Sequence, residues 1–299
     1  YLAGLAGLYL RRLRDGQDAG WVDEVRAEYD ARLRKHAGKP LKACRILEIG
    51  YGARPLRFMM LHALGADVTG VDLDRPILRG RPGEFADAWR KNGAERAIKS
   101  FLRFWINDIA ERRAVYRALG PDAVRRGLPA ERLMVASASA EGFWRDIGGG
   151  FDLVVSEDVF EHIPPDELAV VVAKMKDALA PGGIALIRPM VFTGICGGHH
   201  LEWYEHTLGQ EVRRETAPWE HLRGDRLPAN TYLNRLQRRD YRALFAAHFD
   251  ILEEAEKRPG LGRGFMTPEI RAELADYPDE ELFSNAVMFV LARKDRLGA

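Results

Sequence analysis

An α/β fold is the class this sequence predicts, and three observations predict it. Ile46-Leu-Glu-Ile49 is an apolar run carrying an acid, and Gly50-Tyr51-Gly52 follows it as a turn. Leu56, Met59, Met60, Ala63 and Leu64 then recur at helical spacing, with Pro55 suited to a first helical turn and Gly65 to a C-terminal cap. A second apolar run closes on Asp72, about twenty residues after the turn, which is the length of one β-α-β unit.

The same alternation continues along the chain. Leu133 to Glu141 contains a third strand. Phe151-Asp-Leu-Val-Val-Ser156 is a short buried-strand pattern, and a helix with Leu168, Val171, Val172, Met175 and Leu179 on one face follows. That helix is expected to stop at Ala180-Pro-Gly-Gly183, with Ile184-Ala-Leu-Ile187 as the next strand. Leu233 to Phe245 reads as an amphipathic helix, and Phe249–Glu253 and Ser284–Ala292 read as two last strands. A side chain at position 50 or 52 would keep a ligand away from the backbone and strain the turn, so glycine there points to a pocket. A dinucleotide fingerprint would need a third glycine where Pro55 stands, and it has no special need for Glu48.

With Glu48, the Gly50–Gly52 turn, Asp72 and the layout FDLVVSEDVFEHIP … LAPGGIALI, the chain resembles the class I S-adenosylmethionine (SAM)-dependent methyltransferases, in particular the type-11 small-molecule enzymes. The resemblance covers most of residues 45 to 190 and again 230 to 292. It implies a Rossmann-like seven-stranded sheet, parallel except for an antiparallel C-terminal hairpin strand, with helical insertions forming a cap. It also implies SAM as donor and S-adenosylhomocysteine as product. Glu48 and the backbone of Gly50, Tyr51 and Gly52 would face the methionine part, and Asp72, followed by Leu73, the ribose hydroxyls. Ser139 and Ala140 stand where family members commonly hold the adenine amino group with an Asp and a small residue, and Glu141 is an alternative. Glu157, beside Ser156 at the end of strand four, would lie near the cofactor face.

This divides the chain into an N-terminal helical segment, 1–44, and a methyltransferase domain, 45–299, with a helical insertion at 75–132 and a substrate-cap insertion at 189–237. At 299 residues, 46% hydrophobic and 30% charged, the chain is long enough to bury one large core. A net charge of +1 gives no overall attraction to nucleic acid or membrane. Two cysteines, Cys44 and Cys196, exclude a disulfide framework and fit a reducing cytoplasm. Tyr1 to Leu10 is apolar but about half the length of a membrane span, and Arg11, Arg12 and Arg14 follow it, the wrong order for a secretion signal. It reads as a helix packed on the domain, in a protein expected to be a monomer or homodimer. There is no phosphate-binding loop, no nucleophile elbow and no paired Cys-x-x-Cys.

The acceptor side rests on the two insertions. Residues 75 to 132 carry fourteen Lys and Arg against seven Asp and Glu, a local excess of seven positive charges, together with Phe85, Trp89, Ile98, Leu102, Trp105, Ile106 and Ile109 at helical intervals. The excess suits an anionic acceptor, or is an ordinary solvated arginine-rich face. Residues 189 to 237 gather His199, His200, Glu202, Trp203, Tyr204, Glu205, His206, Trp219, His221, Asn230, Tyr232 and Asn234 around a loop with Gly194, Gly197 and Gly198. The two tryptophans fit packing of a cap as well as ligand contact.

Methyl transfer from a sulfonium is an in-line displacement, and a hydroxyl acceptor benefits from a base near neutral pKa. His162, His199, His200 and His206 are the candidates. Asp158, Glu161 and His162 are spaced to share one side of a helix start. They resemble the Glu-x-x-Glu-His element of the ubiquinone-pathway O-methyltransferases and the small-RNA 3′-end 2′-O-methyltransferases, in which a divalent metal is bound. By that resemblance Asp158, Glu161 and His162 would be ligands, with His199 or His200 expected to complete the set; otherwise His162 orients the loop. The expected activity is therefore methylation of a hydroxyl on a polar small molecule such as a sugar, polysaccharide precursor or natural product. Metal-assisted RNA 2′-O-methylation is the alternative, though without an RNA-binding module. A SAM-binding scaffold without catalysis also stays open, given Arg54 in the turn and Ser139 in place of Asp.

Overall fold

The computed structural model describes residues 19–228 and 232–294. The expected helix over Tyr1–Leu10 with its three arginines, and Asn230 of the cap, lie outside the described residues. Seven strands follow the order β3-β2-β1-β4-β5-β7-β6, the mixed sheet that the sequence implies. The chain divides into two compact units, one ending at Val154 and the other starting at Val155.

The first unit opens with helix α1, Gly20–Ala37, which buries Val22, Tyr29 and Leu33 and ends on Gly38 at φ 66°. Only a residue without Cβ adopts that left-handed cap without strain. Strand β1, Arg45–Ile49, pairs in parallel with β2, Asp67–Asp72, and β2 with the short β3, Leu133–Val135. Helix α2, Leu56–Ala63, makes the crossover from β1 to β2, with Phe58, Met59, Met60 and Leu61 buried. The insertion between β2 and β3 is helical as expected: α3 Pro82–Asn92, α4 Ala94–Arg103, a π-turn Phe104–Asp108, α5 Ile109–Leu119 and α6 Pro121–Arg126. Its core is small, built on Ile77, Ala88, Ala97 and Phe104. Helix α7, Glu141–Ile147, leads to β4, Phe151–Glu157.

In the second unit, helix α8, Pro165–Ala178, buries Leu168, Val171, Val172 and Met175. Strand β5 begins earlier than expected: it runs Leu179–Arg188, so Ala180 to Gly183 lie within it instead of forming a stop. Strand β7, Val287–Arg293, pairs antiparallel with β5 and with β6, Phe249–Glu256. Among the described residues of 189 to 237, the helical elements are 3₁₀ turns and the short helix α9, Glu220–Arg223. Trp203 and Trp219 are core residues there, packed with Ile195, Cys196, Ile270, Leu274, Leu282 and Phe283. Half of that core comes from a β6–β7 insertion with helices α11, Pro268–Glu273, and α12, Asp279–Leu282, for which the sequence carried no motif.

The helix expected from Leu233 starts instead at Arg238, as α10, Arg238–Ala246. Its start is capped locally, the N–H of Gln237 donating to Asp240 Oδ2 at 2.9 Å, and also from outside: Glu281 accepts the backbone N–H of Arg238 at 2.9 Å and of Arg239 at 3.0 Å. A carboxylate at that position satisfies free N-terminal amides and complements the helix dipole.

Candidate active site

The residues predicted for the donor side lie mostly in the first unit. Gly50 and Gly52 have φ of 80° and 68°, so the turn needs the backbone freedom that its glycines supply. The N–H of Gly50 donates to the carbonyl of Val71 at 2.8 Å. That of Gly52 donates to Asp72 Oδ2 at 2.8 Å, and the N–H of Asp74 donates to Asp72 Oδ1 at 2.8 Å. Each carboxylate oxygen keeps acceptor capacity for a ribose hydroxyl. Burial pushes the Asp72 carboxyl up, while the amides of Asp74 and Gly52 pull it back. A Cβ placed on Gly52 would meet nothing nearer than the Arg54 nitrogen at 3.9 Å, so the space over the turn is open. Open space beside an acid with spare acceptors fits a nucleoside bound against backbone.

The other predicted donor-side residues fall into place unequally. Glu48 is 1% exposed. Its Oε1 accepts from Arg57 Nε at 2.9 Å, an ion pair the sequence reading missed because the two residues lie on different elements. Tyr51 turns its side chain inward, where its hydroxyl donates to the Met134 carbonyl at 3.0 Å, so only its backbone is available to a ligand. Leu73 is 68% exposed. The Ser139 hydroxyl lies 2.7 Å from that of Ser137, and Trp144 Nε1 donates to the Ala138 carbonyl at 2.7 Å, which together shape the turn carrying Ser139 and Ala140. Glu157, in the second unit, is buried and ion-paired with Arg188.

The acceptor-side candidates gather in the second unit, with one correction. Asp158, Glu161 and His162 do not share a helix face: Asp158 sits at φ 57°, residues Phe160–His162 form a single 3₁₀ turn, and the helix begins only at Pro165. The turn instead brings Glu161 and His162 to His199, one donor atom of each lying within 4.8 Å of the others. Asp158 is not part of that group.

Each member has its lone pairs arranged by its surroundings. His162 Nδ1 is 3.0 Å from the Tyr232 carbonyl, so the ring donates its Nδ1 proton there and leaves Nε2 an acceptor. His199 is held at φ 56° with its Nε2 buried and without a hydrogen-bond partner. Burial lowers its pKa to about 3, with further lowering from His162, and the ring is neutral. Both carboxylate oxygens of Glu161 are buried and lack a hydrogen-bond partner. Burial and the nearby Asp158 charge push its carboxyl well up, and the backbone amides of Glu161 and Met190, close but not in good hydrogen-bond geometry, pull it only partly back. Polar atoms this buried are normally paired, and three orphans in one cluster mark a place made for something else.

The shell around the cluster assigns the remaining polar residues. Asn234 Nδ2 donates to the carbonyls of Phe160 at 2.7 Å and Ile163 at 3.0 Å, and its N–H to that of Glu161 at 2.9 Å, so it pins the turn. His221, buried under Gly198, donates from Nε2 to the Phe192 carbonyl at 2.8 Å. His200 Nε2 contacts the Arg226 carbonyl at 3.0 Å, and His206 is exposed and stacked on Tyr204, so neither joins the cluster. Glu202 accepts from Thr216, and Glu205 pairs with Lys257 and Arg258.

A Rossmann-like sheet with an antiparallel last pair, and a glycine turn bonded to the acid that closes β2, define a class I SAM-dependent methyltransferase. Comparison with known proteins agrees: a methyltransferase-domain family matches residues 21–252. The chain belongs to that methyltransferase family, with SAM as its methyl donor. No curated protein matches the sequence.

Among solved structures, the PH0226 protein from Pyrococcus horikoshii OT3 is 15% identical over 89% of this chain and 92% of its own, with a TM-score of 0.44. The 1,6-didemethyltoxoflavin-N1-methyltransferase from Burkholderia thailandensis, solved with 1,6-didemethyltoxoflavin and S-adenosylhomocysteine, is 18% identical over 99% and 89%, with a TM-score of 0.42. The magnesium protoporphyrin IX methyltransferase from Synechocystis PCC 6803, solved with S-adenosylhomocysteine, is 15% identical over 92% and 82%, with a TM-score of 0.43. These are faint likenesses, and the family assignment rests on the family match. No helix among the described residues is long and apolar enough to cross a membrane.

Proposed function

We propose that this methyltransferase modifies a hydroxyl oxygen of a polar small molecule, and that Glu161, His162 and His199 bind and activate that hydroxyl together with a divalent cation. The observation that carries this reading is the set of orphaned acceptors, both oxygens of Glu161 and Nε2 of His199, beside the free Nε2 of His162. One carboxylate and two imidazoles suit zinc or a similar borderline metal better than magnesium. The Nδ1–H of His162 bound to a backbone carbonyl is the outer contact that a ligating imidazole ordinarily makes. Such an ion supplies Lewis acidity that lowers the pKa of a coordinated hydroxyl.

The chain's own residues do the rest. Asn234 holds the Glu161–His162 turn in place, Tyr232 fixes the His162 tautomer, and His221 supports the loop that carries His199. On the donor side, Asp72 and the Gly50–Gly52 backbone hold SAM so that its methyl is presented without any covalent step at the protein.

Purified protein dialysed against EDTA and titrated calorimetrically with Zn²⁺ tests the centre independently of activity. One saturable site, lost in Glu161→Gln, supports it. Full methyl transfer in EDTA, with no metal recovered by elemental analysis, contradicts the cation and leaves the imidazoles as the acceptor's partners.

A further inference from the structure

The insertion between β2 and β3 buries one apolar face in its core and leaves a second apolar stripe exposed. Ile98, Leu102, Trp105 and Ile106 are 44%, 55%, 57% and 45% exposed. Their spacing places them in one stripe along α4 and the π-turn that follows it. Trp89 on α3 adds 45% exposure. The other side of α4 packs on the insertion's small core through Ala97 and Phe104, and the polar groups beside it are satisfied: Arg103 pairs with the buried Asp108 at 3.2 Å, and Arg112 of α5 donates to the carbonyls of Ile77 at 2.8 Å and Leu78 at 2.5 Å. The apolar stripe is therefore a surface the fold presents, not a core left uncovered by a mispacked helix.

Charge decides what that surface fits. Across residues 88–119 the exposed charged side chains are Arg90, Lys91, Arg96, Lys99, Arg113 and Arg117 against Glu95 alone. Arg90, Arg96 and Lys99 reach Asp87, Asp74 and Glu95 at 3.1, 3.1 and 2.6 Å. Lys91, Arg113 and Arg117 have no ion-pair partner among the described residues. Nucleic acid would use the cations and tryptophans but has no use for Ile98, Leu102 and Ile106. A second copy of this chain would bring two cationic faces together. An anionic lipid surface takes both features, aliphatic and indole groups entering the acyl boundary while basic side chains meet headgroups.

We propose that α4 and the adjoining π-turn are a peripheral docking face for an anionic bilayer. The face is tied to the donor site within the same unit. Arg103 Nη2 donates to the Ala53 carbonyl of the glycine turn at 3.4 Å, and Arg54 of that turn holds both oxygens of Glu111 at 3.0 Å. Docking thus sets the donor turn at a fixed distance from the lipid surface.

Cosedimentation of the full chain with phosphatidylcholine vesicles, with and without phosphatidylglycerol, tests this. The wild type pellets with the anionic vesicles and less so at high salt. The triple variant Ile98→Ser, Leu102→Ser, Trp105→Ser, whose side chains are exposed, retains S-adenosylhomocysteine binding and loses vesicle partitioning by about tenfold or more. The variant Lys91→Glu, Arg113→Glu, Arg117→Glu also loses it. Wild type remaining in solution with both vesicles overturns the proposal, as does equal pelleting of the serine variant. A salt-sensitive RNA complex without vesicle binding, or a dimer abolished by the serine variant without vesicle binding, overturns it in favour of those occupants.

Discussion

The backbone N–H of Gly52 donates to Asp72 Oδ2 at 2.8 Å, which joins the two donor motifs into one device. The bond fixes the turn proposed to lie against SAM and at the same time orients the carboxylate proposed to receive the ribose. Neither motif is set without the other.

Substituting Gly52→Ala separates the turn's conformation from its space. The new Cβ meets nothing closer than 3.9 Å in the ligand-free protein, so the folding cost is that of forcing alanine to φ 68°, about 1 kcal/mol. The same methyl occupies the space the donor needs. Thermal unfolding should move by only a few degrees, while the Kd for S-adenosylhomocysteine, measured by calorimetry, rises by about tenfold or more. Unchanged affinity would place the donor elsewhere.

Glu161 is a cost to the metal-free fold. Its buried oxygens accept no hydrogen bond of good geometry, so replacement by an apolar side chain of similar length removes a desolvated polar group. Glu161→Met should raise the unfolding temperature of EDTA-treated protein, by about 1–3 kcal/mol of stability, and abolish methyl transfer. A destabilised variant would show that Glu161 holds the fold together through contacts of its own.

His221 makes the fold sensitive to acid. Burial lowers its pKa from 6.5 to about 4, and the bond to the Phe192 carbonyl only partly offsets this. The folded state therefore binds fewer protons than the unfolded one between those values. Stability attributable to His221 is complete above pH 6.5 and is lost as pH falls towards 4, about 3 kcal/mol in all. Urea unfolding of wild type and His221→Gln across this range should converge as pH drops. Parallel curves would remove His221 from the account.

Much of this was readable from the sequence, and the reasons differ by element. The donor unit is local: strand, glycine turn, helix and Asp72 lie within one β-α-β segment, so periodicity and turn chemistry place them. Arg57 was not legible because its partner Glu48 is on another element, and a contact of that kind has no spacing rule. In the acceptor region the residues were visible but their grouping was not. Asp158 drops out because the chain bends at φ 57° and forms a 3₁₀ turn instead of a helix, and His199 joins by folding across from a loop that no periodicity describes. The late start of α10 shares that origin in part: a local Gln237–Asp240 capping box marks it, but two of its N-terminal amides are satisfied by Glu281, forty-odd residues away in sequence. Trp203 and Trp219 needed the β6–β7 insertion to be seen before they could be told from ligand contacts.

The central claim is that the turn at Gly50–Gly52, held by Asp72, binds the methyl donor. Calorimetric titration of wild type and Asp72→Ala with S-adenosylhomocysteine tests it most directly. The account predicts one saturable site in the wild type and affinity weaker by about tenfold or more in the variant, or ~1.4 kcal/mol and above, as expected for lost bonds to a charged acceptor. No binding by well-folded wild type, or equal binding by both proteins, would contradict it.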